Sequence, residues 1–388
     1  MSKRHWGLAA LFAAFLLVVA ACGDDDATTT TGAPATTTTA AATTTTAGED
    51  TTTTAAAVEA IKTCLVTDLA GVDDRSFNAS AWQGVEDAMA AGVATEDSFY
   101  LESDDASDWQ PNIDQMLSQG CEHIVTVGFA LGEVTAINAQ AHPEIIWTMI
   151  DNVLTDATFA PLALPNVREL VYQTDQAAFA AGYLAAGVSE SGIICTYGGA
   201  NFPTVSIFMD GFARGAAHYN EVKGTDVTVL GWDPDLKDGV FTGSFTDMGL
   251  ARSTADGMFQ EGCDVILPVG GAINLPAGDA ILGLDIDAAL VGVDADAFFA
   301  MPEQYQSLWL VTIEKAIAPF VTLAVSDQAA ETWAPGSFVG DLSNDGVGLS
   351  PFHDWDDRVS DELQAEVEQL LADIESGVIK ADYTPVGY

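Results

Sequence analysis

The sequence predicts an α/β protein of two similar lobes, each with a parallel sheet, and three observations point there. Short β-rich runs alternate with helical stretches from residue 58 onward, an alternation that places helices on the faces of parallel sheets. A cysteine pattern occurs twice: Cys64 and Cys195 sit in the opening strand of each half, and Cys121 and Cys263 at the start of a later one. The ~330 residues of the body also exceed what one hydrophobic core usually serves.

In chain order the strand candidates are CLVTDL, HIVTVGF, IIWTMID, ELVYQT, GIICTYG, VTVLGW, DVILPVG and ALVGVDA. Each is a short run rich in β-branched and apolar residues. Between them lie the helical patterns SAWQGVEDAMAAG, PNIDQMLSQG, LGEVTAINAQAH, QAAFAAGYLAAGVSE, SIFMDGFARGAAHYN and GLARSTADGMFQEG, several closed by glycine, the usual helix C-cap. In the first helix Trp82, Val85 and Met89 fall at i, i+3 and i+7 and predict one buried stripe. Ligands of such folds sit beyond the carboxyl ends of the strands. Those ends are Asp68, Gly128–Phe129, Asp151, Gly198–Gly199, Gly270–Gly271 and Asp294.

The N-terminus has a different character. Lys3 and Arg4 precede an apolar run from Trp6 to Ala21, closed by Val19-Ala20-Ala21-Cys22, a secretory leader with small residues before the cleavage point. The run is shorter than the ~20 apolar residues a spanning helix needs, and its end resembles a bacterial lipobox in which Cys22 is lipidated. Residues 1–22 are therefore expected to be the leader with its lipobox cysteine, which makes a lipid the only membrane anchor. Residues 23–57 open with Gly and three Asp and continue in repeats of Thr, Ala and Gly, unable to form a core and expected to be a disordered tether.

An exported chain favours disulfides over zinc, and the cysteines show no CxxC spacing. Three pairings of Cys64, Cys121, Cys195 and Cys263 are possible. First and third strands of open α/β sheets commonly lie side by side, so Cys64–Cys121 and Cys195–Cys263 are expected, one per lobe.

Composition excludes several functions. The formal charge is −45, from 57 acidic against 12 basic residues, a surface that repels nucleic acid and anionic lipid. No GxGxxG, GxxxxGK[ST], GxSxG or HExxH occurs, and His5, His123, His142, His218 and His353 are scattered. Asp73-Asp74 lacks the spacing of a calcium loop. No catalytic set, metal or cofactor is expected.

The segment TDLAGVDDRSFNASAWQG resembles the signature loop of the basic membrane protein (BMP) family of substrate-binding lipoproteins, which includes receptors for purine nucleosides. The likeness continues in order through PEIIWTMID, LPNVRELVYQTDQAAFAAGYLAA, YGGANFPTVSIFMDGFARGAA, GCDVILPVGG, ALVGVDADAF, LVTIEKAIAPFV and IESGVIK. It covers the chain from about residue 60 onward, although Arg75 stands where the family often has Lys. The resemblance implies a type I periplasmic-binding-protein fold, two Rossmann-like lobes closing on a ligand through a hinge. The division expected is residues 58–173 plus 295–328 for the first lobe and 174–294 plus 329–388 for the second.

The family's ligand positions match Asp68, Phe77, Asn78, Asp151, Phe208, Gly270, Gly271, Asp294 and Lys315. The resemblance implies that Phe77 and Phe208 stack on a base, Asp68 accepts from its N–H groups, and Asp294 and Lys315 hold ribose. Other readings stay open: Phe208 as core packing, Asn78 as part of the turn, Lys315 as a surface ion pair, and Asp73 and Asp74 as helix caps. The partners implied are a small molecule, most readily a nucleoside, and an ABC permease, with the chain itself a monomer. A sensor presenting its ligand to a membrane signalling partner is the alternative.

Overall fold

The computed structural model describes residues 59–381 apart from 159, together with residue 383. Cys22, the leader and the Thr-rich tether lie outside the described residues. The first lobe opens with β1 (Thr63–Val66), α1 (Phe77–Ala90), β2 (Phe99–Leu101), α2 (Trp109–Ser118), β3 (His123–Val127), α3 (Gly132–Ala141), β4 (Ile146–Ile150) and β5 (Val167–Tyr172). The second begins with α4 (Thr174–Val188), β6 (Ile193–Gly198), α5 (Pro203–Lys223), β7 (Thr228–Leu230), β8 (Trp232–Asp233) and β9 (Asp238–Gly239). It continues with α6 (Met248–Gln260), β10 (Val265–Val269), α7 (Asn274–Leu284), β11 (Ala289–Asp294), α8 (Ala297–Ala300) and β12 (Trp309–Lys315). The chain then returns to the first lobe for α9 (Ile317–Ala329) and β13 (Gly336–Gly340), and again to the second for β14 (Val347–Leu349) and α10 (Asp361–Glu375).

Among the described residues the first sheet runs β13-β5-β4-β3-β1-β2 and the second β14-β12-β11-β10-β6-β7. Neighbours in both are parallel, except that β14 pairs antiparallel with β12. This is the two-lobed α/β architecture that the sequence predicts.

The expected division needs one correction. It assigned residues 295–328 to the first lobe and 329–388 to the second, but β12 pairs with β11 in the second sheet and β13 with β5 in the first. The reason is composition. WLVTIEK is buried along nearly its whole length and fills a central position, whereas GSFVG is largely exposed and suits an edge.

Among the described residues the chain crosses between lobes three times, at residues 172–174, 315–317 and 340–347. The crossings lie side by side: Gln173 N donates to Gly340 O (2.8 Å), and Ala316 N donates to Gly346 O (2.9 Å). Cys64 bonds to Cys121 and Cys195 to Cys263, with Cα atoms 5.9 and 6.0 Å apart. Each bridge links neighbouring strands, since β1 pairs with β3 and β6 with β10.

The α1 stripe is rotated from expectation. Ala81, Gly84, Val85 and Ala88 are its buried face, while Trp82 and Met89 are only half-buried. Small residues face inward because α9 lies close: a Cβ on Gly84 would collide with the backbone of Ala318 and with Val321. By contrast α4 is buried on almost every side, as an Ala-rich helix without a polar face should be.

Candidate functional site

Both sheets point their carboxyl ends into the interlobe cleft, which encloses a cavity of about 240 Å³. All nine positions suggested by the sequence line it: Asp68, Phe77, Asn78, Asp151, Phe208, Gly270, Gly271, Asp294 and Lys315. Two larger, more open crevices of about 600 and 880 Å³ also touch Lys315, but neither reaches Phe77, Phe208 or the glycine pair. The enclosed cavity is therefore the candidate site.

Lys315 ends β12 at the second crossing. Its Nζ lies 2.6 Å from Asp151 Oδ2 in the first lobe and 3.7 Å from Asp294 Oδ1 in the second. Three rings surround the same ammonium, with centroids at 5.0 Å (Phe208), 5.3 Å (Phe77) and 5.5 Å (Tyr172), within cation–π range. Asp151 and Asp294 end β4 and β11, and both take left-handed backbone conformations, with φ of 63° and 69°. Non-glycine residues at such angles mark constrained sites, and Asp tolerates them better than most. Burial raises the pKa of both carboxyls, against the pull of Lys315. Lys315 is thus a buried interlobe cation and not a surface ion pair.

Asp68 follows β1. Its Oδ1 accepts from Ala70 N (3.1 Å) and Asn78 Nδ2 (2.8 Å), whereas Oδ2 carries no hydrogen bond among the described residues. Burial pushes its pKa up to about 6, opposed by the bonds from Ala70 and Asn78. Asn78 is committed: Nδ2 also donates to Asp74 Oδ2 (3.0 Å), and Oδ1 accepts from Asp68 N (3.3 Å). It lines the cavity but acts by holding Asp68.

Asp74 caps α1, accepting from the backbone of Ser76, Asn78 and Ala79 at 2.8–3.0 Å, and burial raises its pKa in spite of these bonds. Asp73 is exposed and makes no cap bond, so the expected pair of caps reduces to one.

Phe208 is buried in the core and also lines the cavity, so its packing and cleft readings both describe its position. Gly270 and Gly271 have φ of 152° and 57°. A Cβ on Gly270 would press into the Phe245 ring at 2.8 Å, so glycine lets that ring approach the strand end.

Phe202 and Phe245 also line the cavity, and sequence reasoning missed them. Phe129 and Phe202 meet across the cleft with centroids 5.3 Å apart, and Phe202 lies 6.1 Å from Phe245. Each is an aromatic in a glycine-containing loop that follows a strand, a signal that could have found them. Among the described residues no group of three His, Cys, Asp or Glu could hold a metal ion, and no helix is long and apolar enough to cross a membrane.

Two α/β lobes with three adjacent crossings and an enclosed aromatic and acidic cavity define a solute-binding protein of the type I periplasmic-binding fold. More closely, the chain belongs to the family described as ABC transporter substrate-binding protein PnrA-like (Bmp), whose model matches residues 61–384. It is similar to the ABC transporter nucleoside-binding protein BmpA of Lactococcus lactis subsp. cremoris, with 26% identity over 341 residues covering 82% of this chain and 88% of that one. Basic membrane protein A1 of Borrelia garinii subsp. bavariensis is 24% identical over 332 residues, 85% of this chain and 90% of its own. Among solved structures, an ABC transporter solute-binding protein from Aeropyrum pernix K1 superposes with a TM-score of 0.71 at 22% identity, covering 82% of this chain and 92% of that one.

Proposed function

We propose that this chain is an extracytoplasmic lipoprotein, anchored through Cys22, that captures a purine nucleoside between its lobes and delivers it to an ABC permease. The observation that carries the reading is one cluster: two phenylalanines beside a buried Lys–Asp–Asp set, with an Asp68 carboxylate oxygen that has no partner among the described residues. In it Phe77 and Phe208 present aromatic surface to the base, a contact worth roughly 1–3 kcal/mol per base. Asp68 Oδ2 accepts from a base N–H. Asp294 accepts from ribose hydroxyls, and Lys315 donates to ribose oxygens.

A cavity of about 240 Å³ suits a small ligand, lying just under the ~300–1,000 Å³ of most ligand pockets. The name of the Lactococcus relative, a nucleoside-binding protein, agrees with this choice. The chain acts by closing over its ligand as a monomer, without catalysis.

Mass spectrometry of the small molecules released on denaturing the protein purified from cells tests the reading. A purine nucleoside is expected, and a sugar or amino acid in its place would overturn it.

A further inference from the structure

Ser76 stands at the N-cap position of α1 yet makes no cap hydrogen bond, although serine is among the residues best suited to that task. Asp74 performs the capping instead, accepting from the backbone N–H of Ser76 (3.0 Å), Asn78 (2.8 Å) and Ala79 (3.0 Å). The serine hydroxyl is left to reach across the cleft. Its Oγ lies 3.0 Å from Val293 O and 2.9 Å from Asp294 Oδ2, both on β11 of the opposite lobe. A hydroxyl has one proton, so it is shared between a carbonyl and a carboxylate, the carboxylate being the stronger acceptor.

The seam is close-packed at this point. Ser76 is fully buried. Gly271 of the second lobe faces it, so that an added Cβ would lie 3.6 Å from the Cβ atoms of both Asp74 and Ser76. Lys315 also bonds across the lobes, to Asp151, but it forms part of the cavity wall. Ser76 is not among the lining residues, so its cross-lobe bond can be removed without removing a ligand contact.

We infer that Ser76 is a closure latch: its hydroxyl holds Asp294 and the second lobe against the first, and so sets how long a ligand stays enclosed without touching it. The inference rests on the reading that the cleft opens and closes around a small molecule. Opening returns both partners to water, so the latch biases the closed state without locking it. Its loss corresponds to roughly tenfold to hundredfold faster ligand release. Ser76 is thereby a positioning residue, acting through Asp294 and lobe geometry.

The test uses the full chain with Cys22→Ser, carrying spin labels through Glu133→Cys and Glu261→Cys, exposed positions in the first and second lobes. Interlobe distances are measured by electron–electron resonance without ligand, and guanosine release is measured by stopped flow. Ser76→Ala should shift the ligand-free distances to longer values and speed guanosine release. Ser76→Thr, which keeps the hydroxyl, should restore both. Ser76→Gly, which lacks the hydroxyl, adds no thiol and is tolerated at a helix N-cap, should behave as Ser76→Ala and supplies the comparison if that variant does not fold. Distances unchanged in both hydroxyl-free variants would overturn the latch. If guanosine binds no form of the protein, the nucleoside reading fails while the distance measurement still decides the latch.

Discussion

Replacing Lys315 with Met keeps an unbranched side chain of similar length and removes the only cation in the cluster of Asp151, Asp294, Phe77, Phe208 and Tyr172. Nζ lies 2.6 Å from Asp151 and 3.7 Å from Asp294, with all three side chains almost wholly buried. Removing one member of such a pair costs about 3–5 kcal/mol, because the remaining charge stays buried without a partner. Most of that penalty falls on the closed cleft, since opening lets Asp151 regain water. Guanosine binding should therefore weaken by roughly 10²–10³-fold, with a much smaller change in the melting of the ligand-free protein.

The loss should also depend on pH, with a definite sign. Burial raises both carboxyls and Lys315 lowers them, so without the lysine both rise further. A carboxyl whose pKa is raised on closing takes up a proton as the cleft shuts, so closure is favoured as pH falls and opposed as it rises. Calorimetric titration at pH 8 and pH 5 should show the larger deficit at pH 8, with protons partly replacing the missing cation at pH 5. Binding within about threefold of the parent at pH 8, less than 1 kcal/mol, or a deficit that grows on acidification, would refute the role assigned to this cluster.

Three further outcomes follow from the same geometry. With the pKa of Asp68 raised to about 6, its ionised form is the acceptor a base N–H requires, so guanosine affinity should rise from pH 5 to pH 7 and then level off; titration of Asp68→Asn should give a flatter profile. For folding the sign is opposite, since a raised carboxyl contributes stability that is lost as pH rises from 3.8 through about 6. Asp74→Ala should lower stability in urea by about 1–2 kcal/mol through the lost cap, whereas Ser76→Ala should lower it less, because Ser76 makes no cap bond. The paired substitution Cys195→Ser and Cys263→Ser opens a link across a sequence separation of 68 residues, which corresponds to roughly 4 kcal/mol by loop entropy, read as a lower urea midpoint.

How much of this was legible in the sequence depends on the kind of signal. Strand-end positions were readable because sheet periodicity fixes them, and Asp68, Asp151, Gly270 and Asp294 all reach the cavity. The second-lobe strand β12 was harder, since in LVTIEKAIAPFV the strand passes into α9 with a single residue between and no turn residue marks the lobe change. The α1 stripe misled because a half-buried Trp carries a stronger pattern than the Ala and Gly that α9 covers. Ser76 was invisible for another reason: its partner lies 218 positions away, and a serine before a helix reads locally as a cap. Only the position of Asp74 shows that the capping role was already filled.

The proposed function requires a cleft shaped and charged for a neutral purine nucleoside. Calorimetric titration of the full chain with guanosine, inosine, adenosine, their 5′-monophosphates, free bases and a set of sugars tests it most directly. Saturable binding of a purine nucleoside is expected, with the monophosphates far weaker because Asp68, Asp74, Asp151 and Asp294 line the cavity against a single Lys315. Binding of a sugar with no response to any nucleoside, or a monophosphate bound as tightly as its nucleoside, would contradict it.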